Sequence, residues 1–226
     1  GERPSHPELL EWLASDLVQH GWKLKRLHRL IMTSSVWMQS GDSDEARAQL
    51  DRENTLLWRR SPMRLEAEAI RDSMLSVSGL LDLQQFGPGT LDQNMRRRSI
   101  YFFIKRSQLI PMMMLFDWPE HLVSIGQRPV TTIAPQALMF MNSPQSRQWA
   151  TAFAARLPAT SPADSVQGAW RIAFGRQPAA AEMQAALMFL KNQENQHSGR
   201  PGNPQQQALT DLCQTLFSMN EFIYCE

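Results

Sequence analysis

The sequence predicts a mainly α protein, an irregular multi-helix bundle with one short extended segment near residues 99–105. Apolar residues recur at spacings of three and four through most of the chain. Pro, Ser, Asp and Asn stand where these runs begin, and Gly stands where several end. Only one stretch, RRRSIYFFIKRS (96–107), is β-branched and aromatic with a period of two.

The elements follow in order. Ser5-His6-Pro7-Glu8 reads as a capping box opening PELLEWLASDLVQHG, with Leu9, Leu10, Leu13, Leu17 and Val18 as the apolar stripe and Gly21 as the stop. KLKRLHRLIMTSSVWMQS follows at once, so the simplest arrangement is two antiparallel helices joined by a very short turn. Residues 41–55 are polar and form a loop with room for one helical turn. The stretch RRSPMRLEAEAIRDSMLSVSG (59–79) is the third main helix, with Pro62 in its first turn and Gly79 at its end. QFGPGTLDQNM (85–95) is a loop, and PMMMLFDWPE gives a short helical turn closed by Pro119. From Ala134 a long helical stretch breaks at Asn142-Ser143-Pro144, because the residue before Pro avoids helical geometry. After the linker ATSPADS come three further helical segments, the last two separated by HSGRPGNP (197–204). This organisation divides into a helical core domain, 1–157, with a loop insert at 82–98. A C-terminal three-helix unit, 158–226, packs on it.

Charge and composition exclude several function classes. Lys+Arg of 23 against Asp+Glu of 22 leaves net +1, so no global field recruits nucleic acid or acidic lipid, and KLKRLHR (23–29) reads as the polar face of an amphipathic helix. No apolar run reaches the roughly 20 residues that span a bilayer. The opening GERPSHPELLEWL has no basic region followed by a long apolar one, and it reads as the interior of a longer protein. Cys213 and Cys225, twelve residues apart, would lie about 18 Å from each other on one straight helix, so a disulfide would need a sharp turn near Ser218–Asn220.

Metal and nucleophile chemistry find little. His6, His20, His28, His121 and His197 form no HxH or HxxxH pair; no CxxCH, GxSxG, GxGxxG or GxxxxGK[ST] occurs. No metal site is assigned, and Met112, Met113 and Met114 read as core filler. Trp12, Trp37 and Trp170 also read as core. Trp118 is the candidate exposed aromatic for ligand stacking, with Tyr101 beside it.

The helix at 59–79 poses the main question. Ile70, Met74, Val77 and Leu81 share one sector of a helical wheel, so that face is core. Arg64, Glu68, Arg71 and Asp72 lie opposite, and Glu66 borders the apolar face. Arg64–Glu68 and Glu68–Arg71 have ion-pair spacing, which a solvated face would use. A buried network clamping a neighbouring loop is the competing reading, and a catalytic carboxylate pair the third.

Seven blocks in order, GERPSHPELLEWLA, GWKLKRLHRLIMTSSVWMQS, RLEAEAIRDSMLSVSG, RRSIYFFIKR, LFDWPE, RPVTTIAPQALMFMNSP and NEFIY, span the chain. In this series the chain resembles the uncharacterised C-terminal domain of large planctomycete proteins that often carry a planctomycete-type cytochrome c domain. The resemblance implies an exported, extracytoplasmic multidomain parent, an uncharacterised domain upstream, and in some members inserted carbohydrate-binding-type modules. It implies no cofactor in this chain, with haem elsewhere in the parent. Matching its blocks are His6, Pro7, Glu8, Trp22, Arg64, Glu66, Glu68, Arg71, Asp72, Asp117, Arg128, Pro135, Gln136, Asn142, Asn220, Glu221 and Phe222. Two departures stand out. LVSIGQRP lacks the Cys many relatives carry there, and Gln145 replaces an aromatic residue.

The expected role is a non-catalytic helical interaction or scaffolding module docking on the upstream domain of its own parent. The candidate polar cluster is Arg64, Glu66, Glu68, Arg71, Asp72, Asp117, Arg128, Gln136 and Asn142. An alternative is a glycan-acting hydrolase, or a glycan-binding module with polysaccharide as partner, using the Glu66, Glu68, Asp117 and Arg128 region. A hydrolase requires a carboxylate with a strongly perturbed pKa in a cleft. A glycan-binding module requires Trp118 or Tyr101 exposed on a concave surface.

Overall fold

A computed structural model describes residues 3–119, 125–126 and 128–225. Among them are eleven helices and one two-stranded pairing, so the protein is mainly α as the periodicity predicts. His121 of the sequence reading lies outside the described residues. The chain forms two compact units that divide between Met63 and Arg64. The sequence-based division at 157/158 therefore falls inside the second unit.

In the first unit, α1 (Pro7–Gln19) and α2 (Leu24–Met32) pack together, and α3 (Glu45–Leu50) is the single helical turn of the polar stretch. Gly21 and Trp22 both take left-handed backbone, and Trp22 N–H donates to the Leu17 carbonyl at 2.9 Å. His6 occupies the N-cap of α1, but its side chain caps nothing and bonds Ser5 Oγ at 2.9 Å. The loop after α3 is sewn by side chains: the Asp51 carboxylate accepts from the N–H groups of Thr55 and Leu56, and Asn54 Nδ2 donates to the Arg59 carbonyl at 2.7 Å. Among the described residues of this unit, Asp16 and Asn54, both polar, are the buried ones. The leucine stripe of α1 behaves otherwise than its spacing predicts. Leu13 and Leu17 are half-buried, whereas Leu9, Leu10 and Val18 are exposed. Trp12 and Trp37, read as core, are exposed as well.

The second unit holds a dense core built from α4 (Ala67–Ser78), α5 (Pro111–Leu115), α6 (Ala134–Asn142), α7 (Pro144–Ala155), α8 (Pro162–Phe174), α9 (Ala180–His197) and α10 (Pro204–Phe217). The starts of α7, α8 and α10 are set by Ser143, Ser161 and Asn203, whose side-chain oxygens accept from backbone N–H groups of the first turn, each followed by Pro. α10 packs on both α7 and α9, and α4 packs on α7. Phe153 of α7 stacks on Phe217 of α10 at 6.0 Å, and Phe116 meets Phe140 at 5.5 Å. Met112, Met113 and Trp170 are buried, as read. The chain then turns at Ser218 into α11 (Asn220–Ile223) and β2 (Tyr224–Cys225), which pairs with β1 (Met63–Arg64). Cys213 is buried and Cys225 exposed, and the two are not bridged.

Two local expectations are corrected. The third helix starts at Ala67, not near Arg59, because Arg64 lies in β1 and the Leu65 N–H bonds the Ile223 carbonyl at 2.7 Å. The extended segment is only partly extended: Ser99–Tyr101 is a 3₁₀ turn, and Phe102 forms a single bridge with Thr90. Its alternation does not become a strand because Ile100, Phe103 and Ile104 are exposed and only Phe102 of the apolar residues is buried. α4 supplies one backbone partner here, Asp72 for the Ser99 N–H, whereas the Phe103 N–H bonds the Thr90 carbonyl at 2.8 Å and the Tyr101 carbonyl accepts from the Thr90 N–H at 3.0 Å.

A polar network and a cleft along helix α4

The polar face of α4 is the clamp, not the solvated face. Arg71 is only 1% exposed. Its Nη1 donates to the Arg97 carbonyl at 3.1 Å and to Ser99 Oγ at 3.2 Å, and its Nη2 donates to the Met95 carbonyl. Phe102 lies under the guanidinium at 4.7 Å and Trp149 at 5.9 Å. Burial pulls the Arg71 pKa down to about 10, against Asp72 and Asp92, which raise it, so the group is charged at neutral pH. Next along the helix, Asp72 Oδ1 accepts from both the N–H and the Oγ of Ser99, each at 2.7 Å, while Oδ2 faces Arg98 Nε at 3.3 Å. Two consecutive side chains thus grip residues 95–99 from opposite signs of charge.

The ion pairs expected within the helix are absent. Glu68 instead takes a two-pronged hydrogen bond from Arg128, at 2.9 and 2.7 Å, and Glu66 approaches the same guanidinium at 3.3 Å. Arg64, buried in β1, donates to Asp117 Oδ2 at 2.5 Å and lies 5.5 Å over the Phe116 ring. Asp117, in left-handed backbone at φ 61°, also accepts from the N–H and Oγ of Thr131. Gln136 donates to the Leu115 and Thr131 carbonyls at 3.0 and 3.1 Å. The segment after Arg128 is therefore held by Asp117 and Gln136 from two sides. Asn142 lies exposed at the end of α6, outside this network.

A cleft of about 730 Å³ opens along α4. Glu66, Glu68, Asp72, Arg98 and Arg128 supply its polar lining, and Ile100, Phe102, Ile104 and Trp118 its apolar wall. Of the four residues predicted to converge, Glu66, Glu68 and Arg128 do so, while Asp117 does not line the cleft and bonds Arg64 and Thr131 instead. Ser99, Arg98 and Thr131 take part without having been singled out. Ser99 opens the 3₁₀ turn, Arg98 and Thr131 lie outside regular structure, and no periodicity marks any of them.

Both stacking candidates are corrected. Trp118 is 9% exposed, packed in the core while lining the cleft. Tyr101 carries the Arg97 guanidinium on its ring at 3.6 Å, and its hydroxyl accepts from the Phe86 N–H at 2.8 Å. Nothing local in the sequence marks these rings as covered. Tertiary packing covers them. Burial raises the Glu68 pKa, but the hydrogen bonds and charge of Arg128, with help from its own backbone and Trp118, outweigh this and leave it lowered. Glu68 is therefore an ionised acceptor and not a proton donor. Among the described residues no group of three His, Cys, Asp or Glu side chains is placed to hold a metal ion.

A mainly helical two-unit chain with a charge-clamped cleft is the class that fold and site define. The chain belongs to the family described as PSD1, Protein of unknown function (DUF1553), whose model matches residues 1–190. No curated protein and no solved structure matches it.

Proposed function

We propose that this chain is a non-catalytic interaction module that docks on an upstream domain of the same parent protein, within a larger exported, extracytoplasmic planctomycete protein. The observation that carries this reading is the amount of large apolar surface α1 leaves in solvent, with Leu9, Leu10, Trp12 and Val18 all exposed around the helix. Apolar side chains grouped on one helix in this way mark an interaction surface. The helix is acidic, with Glu8 and Glu11 and no Lys or Arg from Pro4 to Trp22, which suits a partner surface of apolar and basic residues.

The cleft gives less support to a glycan hydrolase. Its Glu68 is held ionised by Arg128, and the aromatic rings that would stack on a sugar are packed or covered. Calorimetric titration of the chain against the separately expressed upstream part of its parent tests the reading. Binding at micromolar affinity or tighter is the expected result, and L10D/W12D abolishes it. Absence of heat across salt and temperature overturns it.

A further inference from the structure

The first two helices of the first unit, α1 and α2, are sorted by charge, and α2 carries a surface of another kind. From Leu17 to Gly41 the chain has no Asp or Glu, whereas Lys23, Lys25, Arg26 and Arg29 crowd α2 and its start. Arg26 is engaged by Asp16, which leaves Lys23, Lys25 and Arg29, all exposed, as the carriers of positive charge. Leu27 and Leu30 are half-buried. Leu24 and Met32 face outward, and Trp22 (69% exposed) and Trp37 stand near the ends of the segment.

We propose that residues 22–38 seat the protein on an anionic lipid surface. Basic residues on the polar side of a short amphipathic helix, with large apolar side chains and tryptophans beside them, combine charge attraction with shallow apolar insertion. A helix of nine residues carrying four basic or histidine side chains does not cross a bilayer, and no described helix is long and apolar enough to do so. The attachment is peripheral and reversible. The acidic, apolar α1 is excluded from such a surface by its charge, so lipid seating and protein docking use different helices.

The test is sedimentation of the full chain with phosphatidylcholine vesicles, with and without phosphatidylglycerol. The chain is expected to sediment with the anionic vesicles only, and less so as salt rises. K23Q/K25Q/R29Q is expected to lower partitioning on the order of 100-fold with an unchanged circular dichroism spectrum. Should that variant fold poorly, L24S/M32S, which alters only exposed side chains, is expected to weaken binding at unchanged charge. Failure to sediment with anionic vesicles, equal binding to phosphatidylcholine alone, or full retention by the folded variants overturns the proposal. Calorimetric binding to the upstream protein without vesicle binding removes this inference and leaves the docking reading standing. The converse result removes only the docking reading.

Discussion

In the first unit the buried residues are Asp16 and Asn54, while Leu10 and Trp12 face outward; in the second, Arg71 is buried beside Phe102 and Trp149 and the apolar residues close around it. Both units bury polar groups, yet the consequences differ. Asp16 and Asn54 tie local turns together over short sequence distances, to Arg26 and to the Arg59 carbonyl. Arg71, Asp72, Glu68 and Arg64 join segments 24 to 60 residues apart, so they specify how the second unit closes. A charged residue's role depends on what packs over it, since the charged positions of α4 look no different in sequence from those of α1.

The largest test of this contrast is Arg71→Ala, which strands the Met95 and Arg97 carbonyls and Ser99. A loss of about 3–5 kcal/mol is expected in chemical denaturation. A cost below about 1 kcal/mol would place Arg71 with ordinary surface arginines. Asp117→Ala leaves the Arg64 guanidinium buried without its carboxylate and frees Thr131; about 3 kcal/mol is expected, with faster hydrogen exchange at Thr131.

A smaller effect concerns Arg176, which bonds Glu182 of α9 twice at 2.7 Å and also holds Glu221 of α11. The hydrogen bonds from Arg176 pull the Glu182 pKa down to about 2, against the upward push of burial. A folded-state pKa below the unfolded one means this contribution is full above about pH 4.5 and is lost as pH falls toward 2. Melting temperature should therefore drop across that window, and Arg176→Ala should flatten the drop. The smallest effect is expected in the first unit. Leu9→Ser and Val18→Ser should change stability by no more than about 0.5 kcal/mol, because both side chains are already in water. A destabilisation of 2 kcal/mol or more, the order of a buried leucine, would break the contrast.

Much of this was legible in the residues. The core face of α4 follows from the spacing of Ile70, Met74 and Val77, and the break at Ser143-Pro144 follows from proline geometry. Convergence of Glu66, Glu68 and Arg128 was also anticipated, though through family blocks and not through spacing. What stayed hidden depends on long-range packing. Residues 95–102 lie over the polar side of α4, so Arg71 is buried although it stands a full 100° from Ile70 on the wheel. The leucines of α1 have the spacing of a core helix, but periodicity reports that a helix is two-faced and not what covers the apolar face.

The unbridged cysteines have a practical consequence. Burial raises the Cys213 thiol pKa well above its ordinary value, so an alkylating reagent at neutral pH should modify exposed Cys225 first. Cys213, at the heart of α10, then becomes a clock. Each event that opens the second unit uncovers it, and its labelling rate under mild denaturant counts those events with no residue engineered in.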